Sequence, residues 1–141
     1  MTVVGFTGTQ LGMTFEQDTA LNGFLLNIAL TGAVHGGCIG ADARFHEVMI
    51  QLGVPVEIRP GHDKWHNQPK TVIPDNAFKV YASEPYLDRN RKIVDQSTMM
   101  LATPADEVEQ MRSGTWYTIR YARRMCKPLW IIYPSGVVVP A

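Results

Sequence analysis

Apolar positions along this chain fall into two alternating periods. Short β-rich runs recur at Thr2–Thr7 (TVVGFT), Ala33–His35, Val54–Ile58, Met99–Ala102 and Leu129–Tyr133, and each predicts a buried strand. Between them, apolar residues return at helical spacing. Leu21, Phe24, Leu25 and Ile28 predict a first helix, opened by Thr14 with Gln17 as its capping-box partner and ended by Gly32. Ala41, Phe45, Val48, Met49 and Leu52 stripe a second helix from about Gly40 to Leu52, closed by Gly53. A short polar helix is expected from Leu87 to Gln96, and another helix from Gly114 to Met125. Residues Val137–Val139 read as an edge strand or a tail. Strands alternating with helices predict an α/β domain: a parallel sheet of about five strands with helices on both faces. In such sheets ligands bind outside the carboxyl ends of the strands.

One stretch breaks the alternation. Residues 60 to 86 carry Pro60, Pro69, Pro74 and Pro85, with Trp65, Phe78, Tyr81 and Tyr86 between them. So long a stretch of weak pattern in a compact domain reads as an inserted loop or lid.

Composition narrows the partners. The 141 residues fit one domain, and thirteen basic residues balance thirteen acidic ones. A neutral chain lacks the basic surplus of a nucleic-acid binder, so nucleic acid is not the expected partner. The N-terminus shows no secretion signal, nothing reaches the about 20 apolar residues of a membrane span, and a cytoplasmic setting is expected. Cys38 and Cys126 form no metal-type pair and read as reduced, buried or half-buried thiols. His62 and His66 are spaced HxxxH, but in a proline-rich loop without a third ligand nearby, so no metal is expected. Met99, Met100 and Met125 read as core filling.

Three glycine-bearing loops should meet at the carboxyl edge: Thr7 to Gln10 (Thr7, Gly8, Thr9, Gln10), His35 to Asp42, and Arg112 to Thr115. Each leads toward a helix, whose free N–H groups favour an anion. Together they predict a phosphate cradle. The spacing of Gly5, Gly8 and Gly12 is not the GxGxxG of dinucleotide dehydrogenases, and HGGCIGAD has no Gly-Lys-Ser/Thr of a Walker loop.

The run VHGGCIGADARFHEVMIQLGVPVEIRP, Arg89-Asn90, the strand ending at Pro104 and Ser113-Gly114-Thr115 together resemble a group of small bacterial and phage proteins in the SLOG superfamily. That superfamily unites the DNA-processing Smf/DprA proteins with the LOG nucleotide hydrolases. The resemblance covers most of the chain. It implies a Rossmann-like fold, a nucleotide-derived ligand and assembly as a dimer or larger. By position, Gly36, Gly37, Gly40 and Asp42 match the first ligand loop, and Ala41 within it is a further candidate ligand contact. Arg89 and Asn90 match the arginine motif, and Ser113, Gly114 and Thr115 match the second loop. LOG hydrolases carry glutamates after Gly-Thr, whereas this chain reads SGTWYTIR without a carboxylate.

Two functions follow. The first is a binding module that senses, carries or sequesters a nucleotide-type small molecule, with no further cofactor required. The second is a nucleotide hydrolase, N-glycosidic or phosphoester, with Asp42 as the catalytic carboxylate, His35 assisting and Arg89 on the phosphate. Asp42 also suits the dipole of its helix, and His35 a structural hydrogen bond. Trp65 reads as buried or as a base platform, and Trp116 or Tyr117 as flanking the base or filling an interface.

Overall fold

The computed structural model describes all of residues 1–141. In chain order the elements are β1 (Val3–Gly8), α1 (Phe15–Leu25), β2 (Gly32–His35), α2 (Ala41–Gln51), β3 (Val56–Ile58), β4 (Gly61–His62), β5 (Lys79–Val80), β6 (Glu84–Pro85), α3 (Tyr86–Gln96), β7 (Met99–Thr103), α4 (Gly114–Arg124), β8 (Leu129–Ile132) and β9 (Val138–Pro140). Seven strands form one sheet in the order β5-β3-β2-β1-β7-β8-β9, parallel throughout except for the antiparallel edge strand β9. The expected strands are all present, extended by the two-residue β5 on one edge and by β9 on the other. Strands β4 and β6 make a separate two-stranded ladder.

Period-two alternation in the central strands sorts side chains onto two faces. Val4, Phe6, Ala33, Met99 and Leu101 face α1 and α2. Val34, Met100 and Ala102 face α3 and α4. Every residue of β7 is buried, as befits a parallel strand covered on both sides. Phe6 stacks on Phe45 of α2 with centroids 4.3 Å apart, worth ~1 kcal/mol beyond the area buried.

Helix boundaries follow local chemistry. Thr14 and Gln17 form the expected capping box, and the Gln17 amide also donates to the carbonyls of Pro104 and Ile132, tying α1 to the ends of β7 and β8. Helix α1 stops at Leu25, seven residues before the expected Gly32, which instead opens β2. Ile28 still packs on the core from outside the helix. Helix α2 ends in a Schellman motif: Val54 N–H donates to Met49 O, and Gly53, at φ 72°, to Ile50 O. Leu52 becomes the cap of that helix and is exposed, so it leaves the apolar stripe. Helix α4 closes in the same way, with Cys126 at φ 55° where glycine is usual. That position exposes Cys126 and Met125, neither of which is a core residue.

Strands β2 and β3 lie to one side of β1, and β7 and β8 to the other. The chain therefore reverses its direction of travel between β1 and β7, and a crevice opens beyond their carboxyl ends. No helix is long and apolar enough to cross a membrane.

Candidate functional site

A cleft of about 470 Å³ lies at that crevice. Thr7, Gly8, Thr9 and Gln10 line it from the end of β1, Gly36, Cys38 and Asp42 from the loop after β2, and Ser113, Gly114 and Thr115 from the start of α4. Arg89 and Asn90 enter from α3. The three loops read from the sequence therefore converge. His35, Gly37, Gly40 and Ala41 do not line the cleft; they build its wall from behind.

That wall is tightly constructed. Thr9 N–H donates to Thr103 O, and Thr9 O accepts from Ala41 N–H, so the first two loops are clamped together. Gly40 sits at φ 83°, and a Cβ there would fall 2.3 Å from Gln10 O. A Cβ on Gly36 would fall 2.4 Å from the Arg89 guanidinium, so glycine is what lets Arg89 reach this backbone.

Arg89 is 6% exposed. Its guanidinium donates to Gly36 O at 2.8 Å, Arg59 O at 2.9 Å and Asn90 Oδ1 at 2.8 Å, and lies over the Tyr86 ring. None of these partners carries a negative charge. Asp42 is the only carboxylate lining the cleft, and its Oδ2 accepts from the N–H groups of Gly36 and Cys38, both at 3.2 Å. Burial pushes its pKa up to about 6, against the pull of Arg89 and the two N–H groups. Three cationic side chains, Lys70, Arg89 and Arg112, share the cleft with this single weakened acid.

His35 is buried and neutral. Burial first, then His46 and Arg89, push its pKa down to about 3, so its 4.0 Å approach to Asp42 is not an ion pair. Gly37 N–H donates to His35 Nδ1, which leaves the proton on Nε2, donating to His46 Nδ1 at 2.9 Å. His46 Nε2 in turn donates to Asn76 Oδ1 at 2.7 Å. The imidazoles form a fixed chain behind the site rather than a surface offered to a ligand.

At the start of α4 the Ser113 hydroxyl accepts from Trp116 N–H, as an N-cap should. The N–H groups of Gly114 and Thr115 are left without an acceptor, and a Cβ on Gly114 would meet nothing within 4 Å. This end of the cleft is open and donor-rich.

Five residues of the inserted segment and α3 go unread in the sequence: Pro69, Lys70, Tyr86, Leu87 and Ile93 line the cleft. Arg112, foreseen only as the start of its loop, joins them. Trp65 is 70% exposed and stands away from the cleft, contrary to the burial expected for it. Trp116 is buried beside Tyr133 in the core and does not flank the cleft. His62 and His66 meet with ring centroids 4.6 Å apart and planes tilted by 41°, with no third His, Cys, Asp or Glu gathered to them.

No family model matches the sequence, and no curated protein matches it. Among solved structures the chain is similar to the molybdenum cofactor binding protein from the phototrophic bacterium Rippkaea orientalis. The TM-score is 0.69 at 13% identity, covering 94% of this chain and 76% of that one. The fold is Rossmann-like. At this identity the likeness speaks for the fold alone.

Proposed function

We propose that this chain is a binding protein for a nucleotide or nucleotide-derived small molecule, held by its phosphate at the carboxyl edge of the sheet. The observation that carries the reading is the charge of the cleft: Arg89 is buried without a carboxylate partner beside two further cations, Lys70 and Arg112, against one carboxylate whose pKa is raised. A buried charge calls for a counter-charge. The unpaired N–H groups at the start of α4 supply directional donors for the same anion. The bearing of the Rippkaea orientalis protein is that a chain of this fold binds a small-molecule cofactor. Kinship with the SLOG superfamily, and assembly as a dimer or larger, belong to the same reading.

Turnover is the lesser reading. Asp42 is the sole carboxylate available, and its Oδ2 is already occupied by two backbone donors that hold the loop. Oδ2 braces the loop and Oδ1 alone is left to meet a reacting carbon, with no second carboxylate to share the work of glycosidic cleavage.

The test is to denature the purified protein, identify any released small molecule by mass spectrometry, and run a thermal-shift panel of nucleotides and molybdenum cofactor. A ligand at 100 times its Kd adds about 2.7 kcal/mol of stability. An intact, unchanged ligand supports a carrier. Product accumulating with time, and abolished in Asp42→Asn, would replace the carrier with a hydrolase. Silence across the panel would defeat the proposal.

A further inference from the structure

The cleft has one wall built differently from the rest. Residues 64 to 78 contain no buried residue at all, and 64 to 70 are all exposed. Yet this segment brings Pro69 and Lys70 to the mouth of the cleft. Where Lys92 is paired with Glu84, Lys70 has no carboxylate partner.

What holds the segment down is short and local. Ile39 N–H donates to Lys70 O at 2.9 Å, and Val72 N–H to Gly37 O at 2.7 Å, flanking a bridge between Cys38 and Thr71. Further on, Asn76 accepts from His46. At one end Asp63 Oδ1 caps a turn by accepting from Trp65 and Asn67 N–H, beside His66 at the left-handed φ of 62°. At the other end the chain is fixed to the sheet through Phe78 N–H on Val56 O and through β5. The segment is therefore a strap, tethered at both ends and fastened mid-way by a few hydrogen bonds. Ala77 on the core and Ile73 beside Gly37 are the apolar contacts that oppose its release, so its opening belongs to the low-energy end of local fluctuations.

The fastening point decides its meaning. The strap pairs with Gly37–Ile39, and the same stretch of loop holds Asp42 through Gly36 and Cys38 and Arg89 through Gly36 O. The imidazole chain from Gly37 through His35 and His46 ends on the strap at Asn76. Ordering of this loop by an anion on Arg89 and closure of the strap share one structural element.

We propose that residues 63–78 form a strap that opens to admit the ligand and closes on it, delivering Lys70 to its anionic group, with the His46–Asn76 hydrogen bond as the latch. This rests on the binding reading above and adds a ligand-contacting residue and a gate to it. The strap supplies a cation that is withdrawn when it opens, so opening loosens the hold on the anion.

Hydrogen exchange of the full chain, followed by mass spectrometry with and without ADP, GDP or pyrophosphate, tests this. Binding is scored independently by thermal shift. In the free protein, amides of 64–76 should exchange much faster than those of β1 and β7. A probe that shifts the melting point should slow strap exchange about tenfold or more. Lys70→Gln should weaken that probe about tenfold with the free melting point unchanged, and Asn76→Ala should speed exchange of the free strap about fivefold. A strap that exchanges as slowly as β7 in the free protein overturns the proposal. So does a bound probe that leaves strap exchange unchanged, in which case the binding reading stands alone. If no probe shifts the melting point, the binding reading fails and the strap has nothing to close on.

Discussion

Two helix starts face the same cleft, and they are built to opposite plans. At α2 the backbone bends through Gly40 at φ 83°, Asp42 folds back onto the N–H groups of Gly36 and Cys38, and Arg89 is locked onto Gly36 O. The N–H groups of the loop before it, at Gly36 and Cys38, and the Ala41 N–H on Thr9 O are spent inside the protein. At α4 only one donor is capped, by Ser113, and Gly114 stands in open space with Arg112 beside it. The first start holds the Arg89 charge in a fixed frame, and the second stands open beside it. Similar glycine-rich sequence thus serves rigidity in one place and access in the other.

Alanine at the two glycines should break the comparison most sharply. Gly40→Ala places a Cβ against Gln10 O in a backbone region closed to other residues, and should cost about 3 kcal/mol in urea denaturation. Gly114→Ala should stay within about 0.5 kcal/mol of the parent while weakening any phosphate ligand, by calorimetry. Equal losses of stability would erase the distinction.

The buried charges at the α2 start give the next effect. Asp42 folds with a pKa raised from 3.8 to about 6, so it takes up a proton on folding between those values, and its contribution falls as pH rises through them. His35 folds with a pKa lowered from 6.5 to about 3, so it loses a proton on folding across pH 3 to 6.5, and its contribution falls as pH drops. Between about pH 4 and 6 the two slopes cancel. Asp42→Asn should unmask His35, and stability should then fall by about 1.4 kcal/mol per pH unit below 6.5. A variant with no added slope in its urea midpoints would contradict this.

Helix ends yield smaller shifts. Ser113→Ala should cost about 1 kcal/mol, and Cys126→Gly should gain about 1 kcal/mol by relieving a left-handed residue at the closing turn of α4. Thermal unfolding reads both. Arg112→Gln should leave stability within about 0.5 kcal/mol but reduce anion affinity and its salt dependence.

Much of this was legible in the sequence. The five strands, the capping box of Thr14 and Gln17, and the convergence of the loops at Gly8, Gly36 and Gly114 follow from periodicity and turn chemistry. The strap's role was harder to read. Lys79–Val80 is too short to show a strand period, and it becomes β5 only because β3 offers an edge. Tyr86 follows a proline and reads as surface, yet the missing side chain of Gly61, 25 positions earlier, makes room for its ring. His35 looked like a ligand contact because it ends a strand before glycines. Its partner His46 lies one helix further on, and only the fold brings the two rings together. Trp65 misled in the other direction, since a large ring suggests burial and this one is in solvent.

The placement of β1 at the middle of the sheet has a consequence during synthesis. Val3 pairs with Thr98, 95 positions downstream, and so β1 emerges from the ribosome long before β7. At ordinary elongation rates the gap is roughly 5 to 20 s. Throughout it, Val4 and Phe6 stand on an unpaired edge with half the sheet unmade. The sheet's central strand is therefore the part of the chain that waits longest for its partner.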